Sequence, residues 1–289
     1  MNEFEIDKRQ VRRSFSRAAQ QYDAAAVLQR EVCSRMLERL DYIKRQPARI
    51  LDAGSGTGWG ARQLEQRYPA AQVVALDIAL GMLRAGRDQS GWWRKLFAGG
   101  RQSSLCADVE ALPLAANSVE LIWSNLTVQW CNDLPATFVE MHRVLKTEGL
   151  LMFSTFGPDT LKELRAAFHD ADGYNHINRF ADMHDIGDML VAAGFAEPVM
   201  DMEYITLTYD DVKAAMQDLR RIGAHNATAG RAQGMMGKGT WNKVVENYER
   251  MRRDGKLPAT FEIIYGHAWK PQPKKIADGR AIIQTPFKL

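Results

Sequence analysis

The run Ile50-Leu51-Asp52-Ala53-Gly54-Ser55-Gly56-Thr57-Gly58 sets a glycine-rich turn between a short apolar segment and a helical one. Such a turn lets backbone approach a ligand closely and aims the N–H groups of a helix start at it. A dinucleotide fingerprint beginning at Gly54 requires glycine at position 59, where this chain has Trp59, so a pyrophosphate is disfavoured. Asp52 points the same way, because a carboxylate at the mouth of the turn suits an ammonium group better than two phosphates. Asp77 stands 25 positions after Asp52 at the end of a second apolar run, where an acid can accept hydrogen bonds from both hydroxyls of a ribose. Asp108, in Cys106-Ala107-Asp108-Val109, follows a third run and suits the exocyclic amine of an adenine. Three acids at the ends of three successive strands line one crevice, where an open α/β sheet binds its ligand.

The elements that must hold these residues are legible in the apolar pattern. Short runs at 49–52, 72–77, 104–108, 119–125 and 149–156 alternate with helical segments such as 134–145 and 183–193. That alternation predicts an α/β fold with a mostly parallel sheet covered by helices on both faces. Before it, Val11, Phe15, Ala18, Ala19 and Tyr22 recur at helical spacing over a segment reaching about Tyr42. After it, extended runs at 198–209 and 259–269 are separated by about fifty polar, helix-prone residues holding predicted helices at 210–222 and 241–253 and a Gly-rich loop at 229–239. The expected division is an N-terminal helical cap over 1–45, a ligand-binding core over 46–209, a helical lid insertion over 210–258, and a last strand with a tail over 259–289.

Composition narrows the class of protein. The chain has 289 residues, 46% hydrophobic and 25% charged, which excludes disorder and fibrous structure. Thirty-eight Lys and Arg against 35 Asp and Glu leave +3, too close to neutral to signal a nucleic-acid binder. Cys33, Cys106 and Cys131 show no CxxC spacing, so neither a disulfide framework nor a metal site is expected, and a reducing cytoplasm is. No apolar stretch has the length of a signal-peptide core or of the ~20 residues of a membrane span.

At DAGSGTG, VVALD, CADVEALPL and RVLKTEGLL, in order across about Arg49 to Phe156, the chain resembles the class I S-adenosylmethionine-dependent methyltransferases. The resemblance implies a Rossmann-like, seven-stranded, mostly parallel sheet whose last strand is antiparallel. It implies S-adenosylmethionine as cofactor, held by Asp52, Gly54, Ser55, Gly56, Gly58, Asp77, Ile78, Asp108, Val109 and Asn125.

A narrower resemblance rests on Ser16-Arg17-Ala18-Ala19 with Phe15 and Tyr22, on Trp123 to Cys131 (WSNLTVQWC), on Asn178-Arg179-Phe180 and on Arg221-Ile222-Gly223-Ala224. These stretches are similar to the malonyl-acyl carrier protein O-methyltransferases of biotin synthesis, which implies methylation of the free carboxylate of a malonyl thioester. Such an acceptor is already a nucleophile at neutral pH, so no general base is required. Arg179 is the candidate carboxylate clamp, because a guanidinium fork matches a carboxylate bidentately. Tyr22 is a candidate to cover the methyl donor and orient the acceptor, and Asn125 and Gln129 lie at the strand end facing the reacting methyl. An acidic carrier protein would dock on arginines, and three clusters qualify: Arg9, Arg12, Arg13 and Arg17; Arg220 and Arg221; and Arg250, Arg252, Arg253 and Lys256. The carrier's arm would thread between the N-terminal helix and the insertion.

Two other readings compete. Asn132 to Pro135, Phe156 to Arg165 and Leu257 to Phe261 resemble a mitochondrial complex I assembly factor of the same fold that hydroxylates a protein arginine. A small-molecule carboxylate methyltransferase, or a non-catalytic assembly factor that keeps the pocket for stability, would also carry the glycine motif.

Overall fold

The computed structural model describes residues 5–89, 102–169, 171, 178–221 and 237–273. Seven strands form one sheet: β1 (Arg49–Ala53), β2 (Gln72–Asp77), β3 (Gln102–Cys106), β4 (Val119–Ser124), β5 (Leu145–Phe156), β6 (Ala196–Tyr209) and β7 (Leu257–Trp269). Their order is β3-β2-β1-β4-β5-β7-β6. The strands β1 to β5 pair in parallel, and β7 runs antiparallel to both neighbours. This is the seven-stranded α/β sheet the sequence predicts, and chain order reverses at β1 and β4, the switch point beside which such sheets bind ligands.

Alternation along the central strands explains the two faces. Ile50, Leu121, Trp123, Leu150 and Met152 belong to the core on one side, with Leu28, Val32 and Met36 of α2 (Val27–Arg39). Leu51, Ile122, Leu151 and Phe153 belong to the other, with Phe138 and Met141 of a helix at Leu134–Val144 and Ile186 and Leu190 of one at Met183–Ala192. Strands covered on both faces read as unbroken apolar runs, because each residue parity meets its own layer of helices.

Several boundaries move, and the N-terminal segment resolves into two helices. The third strand ends at Cys106 rather than Asp108, so Asp108 sits in the loop beyond it. The fifth begins at Leu145, because Leu145 pairs with Val119 ahead of a register shift that lets Lys146 to Glu148 pass as an irregularity. The long N-terminal helical segment is two helices, α1 (Lys8–Ala25) and α2, broken at Ala26. Asp7 caps α1, accepting from the N–H groups of Arg9 and Gln10.

Phe15, Ala19 and Tyr22 pack α1 against Ile78, Ala79 and Met82, where β2 leads into the helix Leu80–Gln89. The insertion between β6 and β7 holds helices at Val212–Arg221 and Lys238–Glu249. The second is tied to the core: Val244 and Tyr248 are fully buried, and the Tyr248 hydroxyl donates to Pro258 O at 2.9 Å. Residues 229–236 of the Gly-rich loop, His176, Ile177 and His225 lie outside the described residues, as do the side chains of Arg220 and Arg221.

Candidate functional site

The glycine turn is built by backbone geometry that side chains would obstruct. Gly54, Gly56 and Gly58 have φ of 85°, 57° and 78°. A Cβ on Gly54 would lie 2.1 Å from Thr127 Oγ1, so only glycine lets the turn pass under the β4 end. The turn is hooked to β2: Gly54 N and Ser55 N both donate to Leu76 O, at 2.7 and 2.8 Å. Asp77 fastens it further, its carboxylate accepting from Gly56 N at 2.9 Å and Ala79 N at 2.7 Å.

Over this turn lies a crevice of two adjoining lobes, with about 630 and 450 Å³ of space between the atoms, open solvent at the mouths included. Tyr22, Gly54, Gly56 and Asn125 line both. The larger lobe runs past Asp77, Ile78 and Met82 to Asp108, Val109 and Trp130. Lys8 closes its far end, with Nζ 3.1 Å from Asp108 Oδ1 and 3.1 Å from Glu110 Oε2. The smaller lobe is bounded by Gln29, Arg30, Asp52, Ser55 and Trp59.

The second lobe carries buried polar atoms that nothing in the described residues satisfies: Asp52 Oδ2, Gln29 Oε1, Ser55 Oγ and Arg30 Nε. Such atoms are costly unless a ligand meets them. They include anionic and neutral acceptors together with a cationic donor, the complement of a zwitterionic amino-acid end. Asp52 is 2% exposed, and burial followed by the nearby Asp77 charge pushes its pKa up to about 7. Burial likewise pushes Asp77 up to about 6, against the two N–H groups it accepts from. Burial is the first cause of both shifts.

Residues 51–153 match the family model of a methyltransferase domain. The chain is 72% identical over 289 residues, covering 100% of both proteins, to the malonyl-[acyl-carrier protein] O-methyltransferase of Gallionella capsiferriformans. It is 60% identical over 279 residues to the protein of the same description in Nitrosospira multiformis, covering 93% of this chain and 91% of that one. This chain belongs to the malonyl-[acyl-carrier protein] O-methyltransferases. Among solved structures, a protein of Bacillus halodurans described as a methyltransferase superposes with a TM-score of 0.59 at 17% identity, over 83% of this chain and 99% of its own. The [4+2]-cyclase SpnF superposes at 0.53 with 20% identity over 83% and 81%. Those likenesses show the Rossmann-like fold, on which more than one chemistry is carried.

In this methyltransferase, whose cofactor is S-adenosylmethionine, the two lobes meet at Tyr22. Of the residues expected to hold the cofactor, Asp52, Gly54, Ser55, Gly56, Asp77, Ile78, Asp108, Val109 and Asn125 line the crevice. Gly58 does not: it is the left-handed N-cap of the helix Trp59–Arg67, with its N–H donating to Ser55 O at 2.8 Å.

The expected acceptor residues separate. Tyr22 stands over the turn, and burial with the charges of Asp77 and Asp23 raises its hydroxyl pKa well above the ordinary value, keeping it protonated. Asn125 spends its amide on structure, donating to Gln29 O at 3.0 Å and accepting from Ser154 Oγ at 2.9 Å. Gln129 donates to Leu126 O at 2.6 Å and accepts from Thr155 Oγ1 at 3.3 Å, and it lines neither lobe. Arg179 is exposed and lines neither lobe, while its neighbour Phe180 packs edge-on to Phe156.

Sequence reasoning missed Lys8, Gln29, Arg30 and Thr127. Thr127 carried a signal, lying two residues past Asn125 beyond the fourth strand. Lys8, Gln29 and Arg30 carried none, because they reach the crevice only through the way α1 and α2 fold back over the sheet.

Proposed function

We propose that this methyltransferase uses S-adenosylmethionine to methylate the free carboxylate of a malonyl thioester borne by an acyl carrier protein, giving the methyl ester that enters biotin synthesis. The observation that carries it is the second lobe, whose unpaired atoms on Asp52, Ser55, Gln29 and Arg30 complement an amino-acid end beside a nucleoside lobe. The acceptor follows from the family, whose members are described by that substrate over their full length.

When bound, the cofactor supplies a methyl group on a sulfonium, open to in-line displacement by an acceptor oxygen. Asp52 and Gln29 hold the ammonium, Arg30 and Ser55 the carboxylate, Asp77 the ribose and Asp108 the adenine edge. Tyr22, kept protonated, covers the reacting centre and donates a hydrogen bond to the incoming carboxylate. The rings of Phe15 and Trp130, packed edge to face with centroids 5.4 Å apart, exclude water from the nucleoside lobe. The acceptor carboxylate is ionised before it arrives, so no general base is required of the site. Asn125 and Gln129 serve the acceptor side by holding the β4 end, and Arg179 binds the acceptor carboxylate from the rim.

The working division is the cap over 1–45, the core over 46–209, the lid over 210–258 and the closing strand over 259–289, with the acceptor entering between cap and lid. No described helix is long and apolar enough to cross a membrane. The described cysteines are free thiols, and the cytoplasm is the compartment proposed.

The test is turnover of malonyl-carrier protein, with S-adenosylhomocysteine and the methyl ester read together. Absence of both, under conditions where the cofactor binds, would sink the reading. Arginine hydroxylation would instead add one oxygen to a peptide.

A further inference from the structure

We propose that the exposed arginines of α1, Arg9, Arg12, Arg13 and Arg17, with Arg84 beside them, form the dock for the acidic protein that delivers the acceptor. The inference rests on the carrier-borne acceptor proposed above and names the surface it uses.

Three basic clusters stand out in the sequence, and the structure distinguishes between two of them. In the insertion, Arg250 pairs with Glu246 at 2.6 Å, Arg252 with Glu249 at 2.7 Å and Lys256 with Asp210 at 2.5 Å. Their charge is largely answered within the molecule. Arg9, Arg12, Arg13 and Arg17 are all exposed, and none has an ion pair or side-chain hydrogen bond among the described residues. Arg84, also exposed, extends the patch. It lies one turn beyond Gly81, where a Cβ would come within 2.9 Å of Ser16 Cα, so the two helices touch there.

This arrangement opposes helix formation. No acid stands in the first turn of α1, where the helix dipole favours one, and Arg9 occupies that turn. Arg9, Arg13 and Arg17 repeat at four-residue spacing, so like charges stack on one face and repel. The cost is relieved when an acidic surface covers the face.

Position connects the patch to the chemistry. Lys8, Val11, Phe15 and Tyr22 of the same helix line the crevice. At about 3.6 residues per turn, Arg9, Arg13 and Arg17 lie between about a quarter and a half turn around the helix from that lining, and Arg12 borders it. A partner seated on the arginines is therefore one helix thickness from the reacting centre, and an arm it carries needs only to pass the rim of α1.

The experiment compares the wild type with Arg9→Glu/Arg13→Glu/Arg17→Glu on two acceptors, malonyl-carrier protein and malonyl-pantetheine, which has the thioester but no protein. Acids near the start of α1 favour the helix, and a retained Tm with unchanged cofactor affinity establishes that the variant folds. The expected result is a loss of at least about tenfold in kcat/KM on the carrier protein, through KM. On malonyl-pantetheine the variant stays within about twofold of the wild type, and the wild-type advantage of the carrier shrinks as salt rises. Reversing Arg250, Arg252 and Lys256 instead has the smaller effect. Equal losses on both acceptors, or an undiminished rate and affinity for the carrier in the α1 variant, would overturn the dock while leaving the carrier reading intact. A wild type that uses the pantetheine thioester but neither binds nor methylates the carrier would overturn the carrier reading, and the dock with it.

Discussion

Lys8 and Asp108, one hundred residues apart in sequence, meet across the nucleoside lobe with Nζ 3.1 Å from Oδ1. The same lysine reaches Glu110, and two residues earlier Ile6 exchanges backbone hydrogen bonds with the Asn132 side chain, at 2.7 and 3.0 Å. These contacts latch the start of α1 over the crevice. Lys8→Met leaves the acids without their cation and frees that end. Because the pair is partly exposed, its loss costs at most about 1 kcal/mol of stability. Cofactor dissociation, followed by stopped flow, should nonetheless accelerate several-fold, and an unchanged rate would show that α1 does not gate release.

Asp52 gives the cofactor site a pH dependence whose sign follows from its environment. Its pKa in the empty protein is about 7, raised by burial, whereas in the unfolded chain it returns to the usual carboxylate range. The empty protein thus holds a proton that the unfolded chain has lost, so this contribution to stability is full at low pH and is lost as pH rises through 7. A bound ammonium reverses the preference by favouring the charged carboxylate. Cofactor affinity should therefore rise from pH 5.5 to 8, with proton release on binding near neutrality. Calorimetry in buffers of different ionisation enthalpy measures both, and Asp52→Asn should bind more weakly with a flatter profile. Asp77, at about 6, adds to the lower part of the same window.

Gly54 is fixed by Thr127 as much as by its own φ of 85°. Gly54→Ala places a methyl within 2.1 to 2.6 Å of the Thr127 side chain and should destabilise by about 1–3 kcal/mol, with loss of cofactor binding. Thr127→Gly removes the obstruction but not the left-handed backbone. The double variant should recover only part of the melting temperature, and full recovery would mean that backbone conformation contributes nothing.

Gln129 supports the β4 end from outside the crevice. Gln129→Ala strips the partner from the carbonyl of Leu126, whose own φ is 48°, and should lower stability by about 1–2 kcal/mol. The KM for cofactor should stay near the wild-type value. A large rise in acceptor KM at unchanged melting temperature would instead give Gln129 a direct contact.

Arg179 and Arg30 can be told apart by the substrate each affects. Arg30→Gln should weaken cofactor binding about tenfold or more, because a charge-assisted hydrogen bond to a carboxylate is lost. Arg179→Ala should raise acceptor KM and leave cofactor affinity alone. Equal loss of both in Arg179→Ala would reject the clamp.

The sequence by itself determined the sheet, the position of its crevice and several of the glycines and acids that line it. Apolar runs of strand length fix the strands, and Gly54, Asp77 and Asp108 follow them at distances set by the βα connections, so local spacing carries this information. Only the tertiary structure brought Lys8, Gln29 and Arg30 to the crevice, because the break at Ala26 resets the helical phase and no periodicity runs through it. It also separated residues that looked alike in sequence: Asn125 lines the crevice while Gln129 braces the backbone, and among the described residues Arg9, Arg12, Arg13 and Arg17 stand unpaired while Arg250 and Arg252 of the insertion meet acids. Whether a charge is free or answered depends on neighbours distant along the chain, and those are set by how the helices pack on the sheet.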